Sequence, residues 1–391
     1  DTLGDYAGSA ALAKEYRYQQ AQAEAASGNY DAAIALYTEL AGYADSDALC
    51  RASRYEKAVA AQEAGDYAGA MALFADAGQY ADSMARLREC CKQQGISIYY
   101  FSADAVNAGV DTGYANQDTI SGDDKHFGWR LGRFFLTGFT RVTADENQQP
   151  VFIKTLGDSV TLWFDLEQDI DALNGNAQLS LAADANGYDQ QFGIPKTNFG
   201  RGTLIVRHTD YQNAKNEPAV YTDYLLAKGT TGANTRIVLH EEGDYEVALD
   251  YEVQDSELTH ITSKFGNYRI FLRFSIRNGN CMVYPFDLLT GAELQNTAVA
   301  EAGFSLDLAR SRYLDINVRR AVLVETANGV IEDERFNRPA KDGDRYTQEG
   351  IYTISVSNRY TGESTTKTIF VGSQALLETY VRNGFSLERL K

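Results

Sequence analysis

One phrase returns through the first quarter of the chain at a fixed step. LAGYADS at 40–46 reappears as DAGQYADS at 76–83, and a worn form, TLGDYAGS, occupies 2–9. Tyr6, Tyr43 and Tyr80 stand 37 residues apart, and so do Tyr30 and Tyr67, and Tyr18 and Tyr55. Three independent landmarks at one period restrict this region to a repeat array, in which each unit buries its apolar face on its neighbours. Each unit reads as two helices. The first spans about 46–63, with Asp45 or Ser46 as N-cap and Gly65 as the stop. Asp66 caps a second helix, whose Tyr67, Ala70, Met71 and Phe74 recur at helical spacing along one face. LAGYADS then forms the corner between helix pairs, and its tyrosine is expected to be a packing wedge.

The pattern Gly28-x-Tyr30-x-x-Ala33-Ile34-x-x-Tyr37 resembles the second half of a tetratricopeptide repeat. The period is 37 instead of about 34, and the closing proline is absent. The resemblance covers roughly the first 95 residues. It implies an array that binds peptides or holds other domains in place. Two full units fall below the ~3 that normally stand alone. The expectation is that further units precede Asp1, or that the array leans on the region C-terminal to it.

From about Ile96 the alanine-rich text gives way to short alternating strands broken by Gly, Asn and Asp: SVTLWFDLE at 159–167, TLIVRH at 203–208, YEVALDYEV at 245–253, YRIFLRFSIR at 268–277, YLDINV at 313–318, YTISVSN at 352–358 and TKTIFVG at 366–372. Two stretches look like copies. EGDYEVAL, containing Tyr245, parallels EGIYTISV, containing Tyr352, 107 residues later. An acidic residue, a glycine and then a tyrosine that opens a strand is the pattern of a tyrosine corner, whose hydroxyl bonds back to the backbone. In the second copy the turn RYTGES at 359–364 leads to a further strand.

These features resemble the bacterial immunoglobulin-like domains of Gram-positive surface proteins. The expected fold class is multidomain α + β: a short tetratricopeptide-like array followed by two antiparallel immunoglobulin-like β-sandwiches. The expected domains are helical repeats at 1–95, an elaborated sandwich at 96–280, a second sandwich at 281–373 and a C-terminal helix at 374–391.

A net charge of −18 opposes phosphate backbones and anionic lipid, so nucleic acid and membrane surfaces are not expected partners. The arginine pairs Arg130/Arg133 and Arg319/Arg320 lie in strand-like text, and solvated strand faces are expected for both. No stretch reaches the ~20 apolar residues of a membrane helix. With 12% aromatic residues the chain can bury cores. Cys50, Cys90, Cys91 and Cys281 form no C-x-x-C pair, and His126, His208, His240 and His260 are scattered, so a zinc site is not expected. Cys50, Cys90 and Cys91 lie in helical text and are expected as buried free thiols.

The sharpest catalytic hint is FDLEQDID at 164–171. On one strand, Asp165, Glu167, Asp169 and Asp171 would share a face with neighbours ~7 Å apart. That spacing suits glycoside hydrolysis. It partly resembles the E-x-D-x-x-E strand of a retaining glycosidase sandwich family, lacking the final Glu. The other face carries Val160, Leu162, Phe164 and Leu166, so an ordinary half-buried strand with an acidic outer face is the expectation. Asp184-x-Asn186-Gly187 suggests a calcium loop, but Gly193 stands where the bidentate Glu of an EF-hand belongs, and an Asn-Gly turn fits better. No G-x-S-x-G, Walker loop or H-E-x-x-H occurs. Gly200-Arg201-Gly202 is too short to cradle phosphate, and His240 beside Glu241 and Glu242 reads as a surface turn. Tyr99, Tyr100 and Phe101 suggest a strand docking the helices onto the β-region, or else a sugar-stacking platform.

The expected function is therefore a non-enzymatic, extracytoplasmic interaction or scaffold protein of the bacterial surface that binds protein, with no cofactor, metal or catalytic residue. The alternatives are carbohydrate binding through the aromatic-rich elaboration at about 175–235, and a glycosidase using the 165–171 carboxylates. Candidate binding residues are Tyr188, Phe199, Tyr211, Tyr221 and Tyr224.

Overall fold

The computed structural model describes residues 9–78, 80–101, 110–111, 117–118, 131–166, 187–189, 194–197, 202–222, 224–225, 235–255, 264–324 and 329–385. A helical N-terminal region is followed by mostly antiparallel β-sheets. The chain divides into two compact units, Asp1–Thr140 with Gly157–Ser275, and Arg141–Leu156 with Ile276–Lys391.

In the first unit the helices obey the 37-residue step residue by residue. They are α1 (Ser9–Ala26), α2 (Tyr30–Glu39), α3 (Ser46–Glu63), α4 (Tyr67–Ala77) and α5 (Ser83–Gln93). α1, α3 and α5 start 37 residues apart, as do α2 and α4. The turns repeat as well. Gly28 and Gly65 have φ of 78° and 82°, and Ala44 and Ala81 hold 48° and 47°. Alanine in the left-handed region is strained, so the corner must be held by its side chains. Tyr18 packs edge-on to Tyr37 and Tyr43, with centroids at 6.3 and 5.9 Å. Tyr55, one period later, packs on Phe74 and Tyr80 at 6.0 and 5.5 Å. The Tyr18 hydroxyl donates to Asp45, and the Tyr55 hydroxyl to Asp82 at 2.5 Å. Asp45 occupies the N-cap position of α3 without capping it, because its carboxylate is taken by the tyrosine. Asp66 does cap α4, accepting from the Gly69 amide at 2.9 Å.

A four-stranded sheet of Ile98–Tyr100, Gly132–Thr137, Val160–Leu166 and Ile237–Leu239 supports the array. Phe135 and Trp163 from this sheet join Ala70, Phe74, Met84, Leu87, Cys90 and Cys91 in one core. A second sheet carries the strands Ala219–Tyr221, Leu204–Thr209, Gly243–Asp255 and Lys264–Asn278 side by side.

The second unit places a three-stranded sheet (Tyr284–Asp287, Phe304–Asp307, Arg345–Tyr346) and a larger sheet (Ala298–Ala300, Glu363–Val371, Gly350–Asn358, Asp315–Val324, Gly329–Glu332) over a common core. That core holds Phe304, Leu306, Val318, Tyr346, Tyr352, Ile354 and Ile369. Ala298–Ala300 runs parallel to 369–371, so this sheet is not wholly antiparallel as the sequence suggests. Its outer face is covered by α6 (Gln374–Arg382), through Leu377 and Tyr380 against Ile351 and Phe370. The hairpin 141–154 also belongs to this unit, although it lies within the sequence expected for the first sandwich. Lys154 is 3% exposed and donates to Asn278 Oδ1 at 2.8 Å, and the Gly279 amide donates to the Lys154 carbonyl at 2.8 Å.

Candidate functional site

The acidic strand is the first place to look for chemistry. Val160–Leu166 is a strand, and Val160, Leu162 and Phe164 are buried as the alternation requires. The opposite face is not the solvated face the sequence suggests. Trp163 is buried in the helix-bearing core, and Asp165 forms an ion pair with Arg88 of α5. A carboxylate held this way by a guanidinium fastens the array to the sheet. Glu167, Asp169 and Asp171 lie outside the described residues, as does the loop of Asp184 and Asn186. Among the described residues no cluster of three or more His, Cys, Asp or Glu side chains has metal-binding geometry.

Tyr99, Tyr100 and Phe101 lie where the helices meet the sheet. Tyr100 packs against the helix core and Phe135, with Arg133 over its ring at 4.7 Å. Phe101 is buried and packs on Tyr99 and Phe274 at 5.3 and 5.4 Å. These rings are structural, which disfavours the sugar-platform alternative.

Among the described residues, the candidate binding tyrosines Tyr211, Tyr221 and Tyr224 do not converge. Tyr224 is buried and donates to the Thr235 carbonyl at 2.6 Å, so it presents no face to a ligand. Burial drives its pKa far up, which keeps it a neutral donor. Tyr221 ends the edge strand Ala219–Tyr221, opposite Leu204, and is 37% exposed. Tyr211 lies in the turn beyond the other end of Leu204–Thr209, where Asp210 accepts from the Gln212 and Ala214 amides at 2.9 Å. A strand of that length separates the two rings by roughly 17 Å or more. The Tyr188 side chain and Phe199 lie outside the described residues.

Among the described residues, Arg319, Arg320 and His208 are also occupied. Arg320 bonds the Glu349 carbonyl twice, at 2.9 and 2.7 Å, and pairs with Asp333 at 3.2 Å. Arg319 faces Glu332 at 3.9 Å, so the pair is not a bare cationic patch. Arg130 lies outside the described residues, with His126, His260 and Arg201. His240 is exposed. His208 bonds the Glu242 carbonyl through Nε2 and Asn216 through Nδ1, both at 2.8 Å. A carbonyl can only accept, so Nε2 carries the proton. All four cysteines are free and buried. Burial pushes the Cys91 thiol up to about 11 and raises Cys90, which leaves both as poor nucleophiles.

What the sequence left unrecognised is a basic side chain opposite each corner tyrosine. His208 pairs across the strands with Tyr245, and Arg320 with Tyr352. Each bonds the carbonyl of the residue before the corner glycine. The cross-strand spacing could have signalled this only once the register was known.

Among the described residues no helix is long and apolar enough to cross a membrane. No family model matches the chain, and no curated protein does. Among solved structures, the crystal structure of Dscam1 isoform 6.44, N-terminal four Ig domains, is similar at 10% identity over 71% of this chain and 70% of that one. Its TM-score is 0.13, at which the likeness carries no argument.

Proposed function

We propose that this chain is a non-enzymatic interaction and scaffold protein: a tetratricopeptide-like array leading into two immunoglobulin-like β-modules that bind protein at a bacterial surface. One observation carries the reading. Among the described residues, two side chains that looked like chemistry are spent on architecture, with Asp165 closing on Arg88 and Tyr224 buried on Thr235. The immunoglobulin-like reading is supported by both corner hydroxyls. Tyr245 donates to the Glu241 carbonyl at 2.8 Å and Tyr352 to the Gln348 carbonyl at 2.9 Å, each four residues upstream. The tetratricopeptide-like reading is supported by the packed helix pairs at a 37-residue step and their repeated tyrosine clasp. The extracytoplasmic, surface placement rests on the resemblance of this architecture alone, and fractionation of cells producing the native protein tests it.

The functional test sets three ligand classes against one another. The purified chain is screened against a displayed peptide library, a glycan array and a polysaccharide panel. Saturable peptide binding without hydrolysis supports the reading. Micromolar glycan binding lost in Tyr221→Ala, or hydrolysis lost in Glu167→Gln, overturns it.

A further inference from the structure

The repeat array is finished at one end and open at the other. At its C-terminal end α5 is a first-type helix, and the place of its companion is filled by sheet residues, chiefly Phe135 and Trp163. At its N-terminal end α1 is likewise a first-type helix, and among the described residues its outer face is exposed. The 37-residue step shows what such a face normally carries. Cys50 of α3 is 5% exposed, and its one-period successor Leu87 of α5 is 4% exposed. Ser53 and Cys90 are equally buried, at 4% and 0%. Cys50 lies against α2, with its sulfur 3.7 Å from the Thr38 hydroxyl and 3.9 Å from the Ile34 carbonyl. Leu49 packs into the same cluster with Ala33, Ile34 and Tyr37.

The α1 residues one period earlier are Leu12, Ala13 and Tyr16, and all three are exposed, Leu12 to 72% and Tyr16 to 69%. The inner face of α1 is ordinary: Ala21 is fully buried, as is Ala58, its equivalent in α3. So α1 repeats α3 on its inner face and differs from it in the exposure of Leu12, Ala13 and Tyr16.

We infer that the Leu12–Ala13–Tyr16 face of α1 is a docking surface for one more helical hairpin of the same 37-residue type, stacked in tandem. Its second helix, with the pattern Gly-x-Tyr-x-x-Ala-Φ-x-x-Tyr/Phe where Φ is apolar, would lie on α1 as α2 lies on α3. The inference extends an interface already made twice in this molecule, at α2 on α3 and α4 on α5. It stands whatever the β-modules bind. Residues 2–9 also carry the corner phrase in register, with Tyr6 one period before Tyr43.

The test supplies the hairpin. A copy of residues 9–37 placed directly before Asp1 keeps the period at 37, because residues 1–8 supply the corner. In this extended chain α1 amides should exchange roughly tenfold or more slowly, and the melting midpoint should rise by several degrees. Ala13→Glu should leave the unextended chain unchanged, since Ala13 is exposed, and should remove both gains from the extended one. Tyr16→Ser, which restores the residue found at Ser53, should preserve or increase them. Unchanged α1 exchange on extension, or a gain that survives Ala13→Glu, overturns the inference. So does sedimentation of the unextended chain as a dimer that Ala13→Glu dissociates, because the occupant would then be a second copy.

Discussion

Tyr245 and Tyr352 close equivalent corners in two different units, and the molecule builds the corner twice with different materials. The backbone device is shared. Gly243 and Gly350 have φ of 154° and 137°, and the tyrosine two residues on reaches the carbonyl four residues upstream. The surroundings are not shared. Tyr352 is fully buried among Phe304, Phe336 and Tyr346, with centroids at 5.4, 5.6 and 5.5 Å. Tyr245 stacks on Phe274 at 5.4 Å and lies tilted against the half-buried His208 at 4.9 Å. A guanidinium braces one corner and an imidazole the other. The turn geometry is therefore the repeated element, and the packing that fills it is local.

The largest expected effect tests whether the two plugs differ in weight. Tyr352→Ala opens a void in a fully enclosed aromatic cluster and should cost about 3–5 kcal/mol. Tyr245→Ala should cost less, because its ring neighbour His208 is half-buried. Hydrogen exchange along Gly350–Asn358 and Gly243–Asp255, read separately in each variant, measures the two. Equal losses would remove the distinction between the corners.

The next test asks whether the shared backbone matters more than the plugs. A Cβ on Gly350 would stand 2.7 Å from the Ala321 carbonyl oxygen. On Gly243 it would run into His208 Nε2 and the Thr209 carbonyl oxygen. Each Gly→Ala change should cost about 1–3 kcal/mol from strain, with Gly243 the worse, as read by denaturant titration. A neutral result at either position would show that its corner can relax.

Replacing the braces gives a smaller contrast. Arg320→Lys keeps the charge beside Asp333 but loses the planar fork on the Glu349 carbonyl, and should cost roughly 1–2 kcal/mol. His208→Gln keeps a donor near the Glu242 carbonyl and should cost under about 1 kcal/mol.

The corners show what a sequence of this kind makes legible. The EGDY and EGIY phrases announce the glycine, the tyrosine and the strand after them, because all of these are local. The helices are legible for the same reason, down to the starts of α3 and α4. The braces His208 and Arg320 are not, since the carbonyls they bond lie 34 and 29 residues away in sequence, on a neighbouring strand's approach. The ion pair of Arg88 with Asp165 spans 77 residues and makes the first acid of the run an anchor for the array. Lys154 and Asn278 are 124 residues apart, which is why the hairpin 141–154 cannot be assigned to its unit from sequence alone. Asp45 reads as a cap in the sequence because the same carboxylate suits the Tyr18 hydroxyl, and only the packed array decides between them. Of the candidate ligand rings, Tyr224 is indistinguishable from Tyr221 by composition, and burial alone separates them.

A comparably small effect isolates the hydroxyl from the ring. Tyr352→Phe keeps the plug and loses the bond to the Gln348 carbonyl, which should cost about 1 kcal/mol near neutral pH. Its pH dependence sharpens the point. Burial pushes the Tyr352 phenol up to about 12, above the ~10 of an unfolded tyrosine. The native state therefore holds this proton more tightly than the unfolded state. The stability linked to it is complete below about pH 10 and is lost as the pH rises from 10 through 12. Other buried tyrosines titrate in the same range, so the informative quantity is the difference between wild type and Tyr352→Phe. That difference should favour wild type at pH 8, shrink above pH 10 and reverse near pH 12, measured by urea unfolding at each pH. A gap that stays constant to pH 12 would mean that this phenol ionises with no penalty from its cluster, and the second corner would then be no better sealed than the first.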